Sequence, residues 1–130
     1  MDRLALKMRL HKIHECGIPS SLIWHEVSKC KELVSGYLII DGRACWHIWS
    51  LNANDEVEDM GLKLAELADP GFKNIQIQRV MEPPENMEID RDNDVIEQFE
   101  LYQNDPKKFW KCVDMKVQNF RARALRERCP

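Results

Sequence analysis

The stretch Ser35–Trp49, SGYLIIDGRACWHIW, constrains this chain more than any other. Two apolar and aromatic runs flank Asp41-Gly42. Asp and Gly both tolerate the positive φ that a two-residue hairpin turn demands, so the stretch predicts strands over about 34–40 and 44–51. Side chains alternate along a strand, which puts Cys45, His47 and Trp49 on one face. A single imidazole set among tryptophans is the first place to look for chemistry.

The rest of the chain is read around that hairpin. Leu6, Leu10 and Ile13, with Leu4 and Met8, recur at helical spacing over 2–14. Gly17 and Pro19 break that pattern. Ser20 or Ser21 then caps a second helix to about Lys31, whose inward positions are Leu22, Ile23, Val27 and Cys30, with Trp24 beside them. After the hairpin, the turn Asn52–Asp55 leads to a short third strand over about 56–60. A short helix over 61–68 follows, with Leu62, Ala65 and Leu67 inward. Beyond the turn Asp69-Pro70-Gly71, a fourth strand is predicted over 74–81, with Ile75 and Ile77 on one face. Residues 82–93 read as a polar loop, since Pro83-Pro84 suits no regular element. Asp94 caps a helix over 95–103. A last helix from Asp105-Pro106 to about Glu127 carries the stripe Phe109, Val113, Val117, Phe120 and Ala124. Helices, then a run of strands, then two helices imply an α+β fold built on a small antiparallel sheet of three to four strands.

Length and composition narrow the classes. At 130 residues the default is one domain, 1–130, and 44% apolar residues suffice for a core. A net charge of −3 makes no strong case for nucleic acid or an acidic ligand as a partner. No apolar run approaches the roughly 18–20 residues of a membrane span, so no membrane partner is expected. The N-terminal residues alternate charged and apolar types, unlike a signal peptide. Five cysteines (Cys16, Cys30, Cys45, Cys112 and Cys129) show no CxxC pair. Reduced thiols in the cytoplasm are the simplest expectation.

A cysteine nucleophile needs a base near it and a third group to hold the base. It also gains from a helix N-terminus, where unpaired N–H groups and the dipole favour thiolate. Cys16 precedes the second helix, His47 lies on a strand and Asp59 ends the next strand. Strand parity makes a condition. A three-residue loop at 52–54 would pair Leu51 with Asp55 and His47 with Asp59, whereas an even loop would put Ile48 opposite Asp59. In that order (Cys16, the helix 20–31, Gly36-Tyr37, His47-Ile48-Trp49, then Asp59) the segment 16–60 resembles the core of the transglutaminase-like, papain-like cysteine superfamily. The resemblance implies a Cys16–His47–Asp59 triad and acyl transfer on a protein or peptide amide by hydrolysis, deamidation or transamidation, with no metal or organic cofactor. It departs from the family where Gly17-Ile18-Pro19 separate the cysteine from its helix. Trp46 and Trp49 are the candidates for lining a substrate cleft.

Each of these residues also has a plainer reading. A free cysteine is commonly a buried hydrophobe, which suits Cys30 and Cys45 as packing groups and applies to Cys16 as well. His47 reads equally as a core histidine with a satisfied hydrogen bond, and Asp59 as a solvated strand end, with Glu58 as orienter if the register shifts. His11, His14 and Cys16 offer metal-ligand atoms, but without the partner pair that structural zinc requires. Acidic residues gather over 82–100 and basic ones over 107–128. Solvated faces explain both, because no aromatics interleave the basic helix as a base-stacking surface needs. The alternative function is therefore a non-catalytic module of the same fold, holding a protein or nucleic-acid partner in the cleft or on the charged helices.

Overall fold

The computed structural model describes residues 19–69, 71 and 75–128. The predicted helix over 2–14, with His11, His14 and Cys16, lies outside the described residues. The fold is α+β. Its elements run α1 (Ser20–Ser28), β1 (Glu32–Ile40), β2 (Arg43–Leu51), β3 (Val57–Glu58), α2 (Met60–Ala68), β4 (Gln78–Val80), β5 (Glu88–Asp90), α3 (Asn93–Asn104) and α4 (Pro106–Arg128). Contacts divide the chain into two compact units. One is Ser21–Asp92; of the other, the described residues are 19–20 and 93–128, the latter holding α3 and α4.

The hairpin forms as its turn residues dictate. Asp41 and Gly42 take φ of 49° and 74°, the left-handed pair of a two-residue turn. Strands β1 and β2 pair over their full lengths, with Gly36 opposite His47, Val34 opposite Trp49 and Leu38 opposite Cys45. Helix α1 stops at Ser28, short of the predicted Lys31, because Lys29 turns left-handed at φ 56° and β1 starts by Glu32. The sheet order is β3-β2-β1-β4. Strand β4 is only three residues, with Leu38 opposite Arg79. It is shorter than the predicted 74–81.

Two departures from the sequence reading bear on the site. The loop after β2 spans 52–56 rather than 52–54, and Leu51 pairs with Val57. Asn52 organises this loop. Its side-chain oxygen accepts from the Asn54 and Glu56 N–H groups, and Asp55 sits left-handed at φ 60°. Five residues is still odd, so Asp59 remains on the parity that faces His47. Second, the segment read as an irregular polar loop contains β5. After a turn in which the Met87 N–H donates to Pro84 O and Asn86 takes φ 62°, Glu88-Ile89-Asp90 runs parallel to Arg43-Ala44-Cys45. Arg43 pairs with both Asp90 and Glu88 there, which holds the short strand. Strands β3 and β5 thus occupy two ends of the same edge of β2.

The core of this unit is Leu22, Ile23 and Trp24 of α1, Val34 and Leu38 of β1, Ala44, Ile48 and Trp49 of β2, and Met60 and Leu64 of α2. In the other unit, Asp105 and Pro106 begin α4 as predicted, and the Lys108 N–H donates to the Asp105 carboxylate at 3.2 Å. Phe109 is fully buried, edge-on to Tyr102 of α3 at 5.2 Å, with Val113 buried one turn on.

Candidate active site

One face of the sheet carries Cys45, His47 and Trp49 of β2 and Arg79 of β4, as the pairings of Leu38 with both Cys45 and Arg79 require. Trp46 is out of phase and belongs to the other face. The structure therefore puts Trp49, and not Trp46, beside His47; the two rings of His47 and Trp49 stack at 6.3 Å between centroids. Gly36 explains how an indole fits there. A Cβ at that position would sit 2.5 Å from Trp49 Cη2 and 2.8 Å from Val80 O. The missing side chain opposite His47 is the space that the Trp49 ring occupies.

Asp59 holds the site together. It is the N-cap of α2, accepting the Leu62 N–H at 3.0 Å, the usual satisfaction of an orphan donor in a first helical turn. The same carboxylate lies 2.8 Å from His47 Nε2 through each of its oxygens, and Oδ2 accepts from Arg79 Nη1 at 2.6 Å. Only 3% of the Asp59 side chain is exposed, against 23% for His47 and 26% for Arg79. Burial pushes the Asp59 carboxyl up. The hydrogen bond and charge of His47, the Leu62 N–H and the Arg79 guanidinium outweigh burial and hold it below the ordinary carboxylate range. Asp59 is thus an ionised carboxylate at neutral pH.

The ladder shows how Asp59 reaches His47. Ser50 is opposite Glu58, so one more step brings Asp59 level with Trp49. Its side chain leans diagonally to the imidazole two residues along β2. Glu58, the alternative orienter, lies on the other face and accepts the Trp24 Nε1–H at 3.2 Å. On that face His25 Nδ1 meets Ser50 Oγ at 2.9 Å. The reading of Asp59 as a solvated strand end is corrected by its burial and its cap.

With Nε2–H directed at Asp59, the lone pair of a neutral His47 is on Nδ1, and no described residue hydrogen-bonds that atom. Gly61, in the first turn of α2, lets two groups approach it. A Cβ there would lie 3.1 Å from His47 Cε1 and 3.1 Å from Ser21 Oγ of α1. The start of α1, the helix that follows Cys16 in sequence, is therefore brought toward the imidazole. Cys16 itself lies outside the described residues.

Two of the described thiols, Cys45 and Cys30, fit a nucleophile poorly. Burial and the nearby Asp90 carboxylate push the Cys45 thiol up, against a smaller opposite pull from Arg43. Cys30 follows the C-terminal end of α1, on the far side of that helix from its N-terminus, and accepts the Ser28 hydroxyl at 3.1 Å. Among the described residues, no three or more His, Cys, Asp and Glu side chains are grouped to hold a metal ion, and no helix is long and apolar enough to cross a membrane.

Arg79 was absent from the sequence reading. A signal for it existed: it shares parity with Ile75 and Ile77, so a charged residue stood on the predicted apolar face of a strand. The cap role of Asp59 was legible too, as an aspartate three residues before Leu62 at a helix start. No family model, curated protein or solved structure matches the chain.

Proposed function

We propose that this protein is a cysteine-dependent amide hydrolase or acyltransferase in which His47 is the base, Asp59 its orienter and Cys16 the nucleophile. The observation that carries this reading is the His47–Asp59 pair: both carboxylate oxygens within 2.8 Å of Nε2, on a buried and ionised aspartate. A carboxylate so placed fixes the tautomer and the plane of an imidazole and stabilises the imidazolium form, the function of the third member of a triad. Cys16 enters from its place in the sequence ahead of α1.

The chemistry follows from the free ring atom. His47 Nδ1 takes the proton of the thiol, and the thiolate attacks the amide carbonyl carbon. The tetrahedral intermediate collapses as Nδ1 returns that proton to the leaving amine, so the C–N bond breaks and a thioester remains. Water, deprotonated by the same Nδ1, hydrolyses it; an amine acceptor instead completes a transfer. Asp59 stays ionised throughout. A protein or peptide amide is the substrate class. A reducing, cytoplasmic setting suits the chemistry, and the described cysteines Cys30, Cys45 and Cys112 are free thiols.

Competitive alkylation tests this reading. Limiting iodoacetamide at pH 7, with each cysteine quantified by mass spectrometry, is expected to modify Cys16 at least about tenfold faster than the other four, as a lowered thiol pKa allows. His47→Ala is expected to remove the difference. A second reading, the same fold acting only as a binding module, draws on the double duty of Asp59 as helix cap and partner of Arg79. Uniformly slow alkylation of all five thiols supports it and overturns the catalytic one.

A further inference from the structure

Asp59 bonds two cationic or potentially cationic groups, and only His47 has a place in the triad. The other, Arg79, is held unusually firmly for a residue on a three-residue strand. Its Nη1 donates to the buried Asp59 carboxylate at 2.6 Å, and its guanidinium carbon lies 5.0 Å from the centre of the Trp49 ring. Trp49 is itself only 4% exposed, wedged over Gly36. A carboxylate at one edge and an indole face below fix both the position and the plane of the guanidinium.

Such anchoring uses one N–H of five. Among the described residues, Asp59 is the sole hydrogen-bond acceptor and the sole carboxylate partner of Arg79. A quarter of the side chain still reaches solvent. The same oxygen, Oδ2, is 2.8 Å from His47 Nε2 and 2.6 Å from Arg79 Nη1, so the guanidinium borders the reacting imidazole. A planar donor fork, immobilised and partly desolvated, matches a carboxylate in two-bond geometry.

We infer that Arg79 forms an anion subsite beside His47, which selects amide substrates carrying a carboxylate close to the reacting bond, such as an adjacent acidic side chain or a chain-terminal carboxylate. This deepens the proposed amide chemistry and rests on it for the word substrate, though not for the binding itself. The Asp59 and Arg79 charges cancel, so recognition comes from short-range paired hydrogen bonds rather than from net charge.

Two measurements on the full chain test the subsite. The first compares iodoacetate with iodoacetamide, reagents of one chemistry that differ in a carboxylate. At Cys16 the rate ratio of the anionic to the neutral reagent is expected to exceed the ratio at the other four thiols by about tenfold, equivalent to roughly 1.4 kcal/mol. Arg79→Met should return it to their level, and Arg79→Lys should retain part of it. Because the readout is a ratio within one variant, a general loss of reactivity through Asp59 cancels. The second follows the Trp49 indole N–H by NMR during titration with N-acetylglutamate α-amide and with N-acetylglutamine α-amide, which differ only in the side-chain carboxylate. Only the glutamate derivative should shift it in the wild type, and Arg79→Met should abolish the shift. Equal shifts from the two ligands overturn the inference, as does a Cys16 ratio equal to that of the other thiols when Cys16 is itself selectively reactive. If no thiol is selectively reactive, the catalytic reading fails and the titration alone decides the subsite. If Arg79→Met does not fold, the wild-type ligand pair and Arg79→Lys decide it.

Discussion

Two histidines flank strand β2, and their surroundings differ. His47, on one face, meets an ionised and buried carboxylate through both oxygens; His25, packed from α1 onto the other face, meets the Ser50 hydroxyl at 2.9 Å. A hydroxyl satisfies a ring nitrogen in either role and stabilises neither protonation state much. Burial accordingly pushes the His25 imidazole down, against a weaker opposite pull from Glu26, and favours its neutral form. A carboxylate instead holds a proton on the nearest nitrogen and aims the other nitrogen outward. The contrast separates a histidine that meets a neutral hydroxyl from one that meets an ionised carboxylate.

Breaking the carboxylate side should cost most. Asp59→Ala removes a helix cap, a hydrogen-bonded imidazole and the partner of Arg79 together. It is expected to lower stability by about 4 kcal/mol in urea unfolding, in line with breaking a largely buried pair and losing an N-cap. Ser50→Ala should cost about 1 kcal/mol, as for one neutral hydrogen bond. Similar losses from the two substitutions would mean that the faces are energetically alike.

Gly36→Ala sharpens the comparison, since Gly36 lies opposite His47 and nothing equivalent faces His25. The new Cβ meets Trp49 Cη2 and the Val80 carbonyl inside contact distance, and backbone cannot yield cheaply. A loss of about 2 kcal/mol is expected, the usual scale of overpacking. Displacement of the Trp49 ring should be visible in its fluorescence. Wild-type stability would place the indole elsewhere than over Gly36.

The smallest effect is the pH dependence, which divides the two histidine sites by range. The folded His25 takes up its proton at lower pH than the unfolded chain does. Its contribution is whole above the unfolded value of about 6.5 and is lost as pH falls from there through its folded value. The folded Asp59 is also depressed. Its contribution is whole above about 3.9 and is lost at more acid pH, as its folded value is crossed. Stability should therefore decline in two stages on acidification. His25→Asn should flatten the first and Asp59→Asn the second, measured as the urea midpoint between pH 8 and 3. A single acid transition untouched by His25→Asn would remove His25 from the account.

The sequence made some of this legible and hid the rest for reasons of range. The parity of the loop after β2 was readable because alternation is a local property. The actual register was not, because Asn52 organises a five-residue loop through side-chain bonds to Asn54 and Glu56, and nothing in the three-residue alternative forbids it. Strand β5 was hidden in a proline-containing polar segment because its pairing partners, Arg43 to Cys45, are over forty residues away. Arg79 was hidden for the same reason, as a residue on a short strand gains its meaning from the carboxylate it meets.

By itself the sequence determined the α+β class, the left-handed Asp41-Gly42 turn, the placement of His47 and Trp49 on one face and the start of α4 at Asp105-Pro106. Each depends on backbone preference or periodicity within a few residues. Only the tertiary structure decided that one buried carboxylate would be shared among a helix end, an imidazole and a guanidinium. That choice depends on desolvation and charge balance at a point where β2, β4 and the start of α2 converge, and no single stretch of chain carries this information.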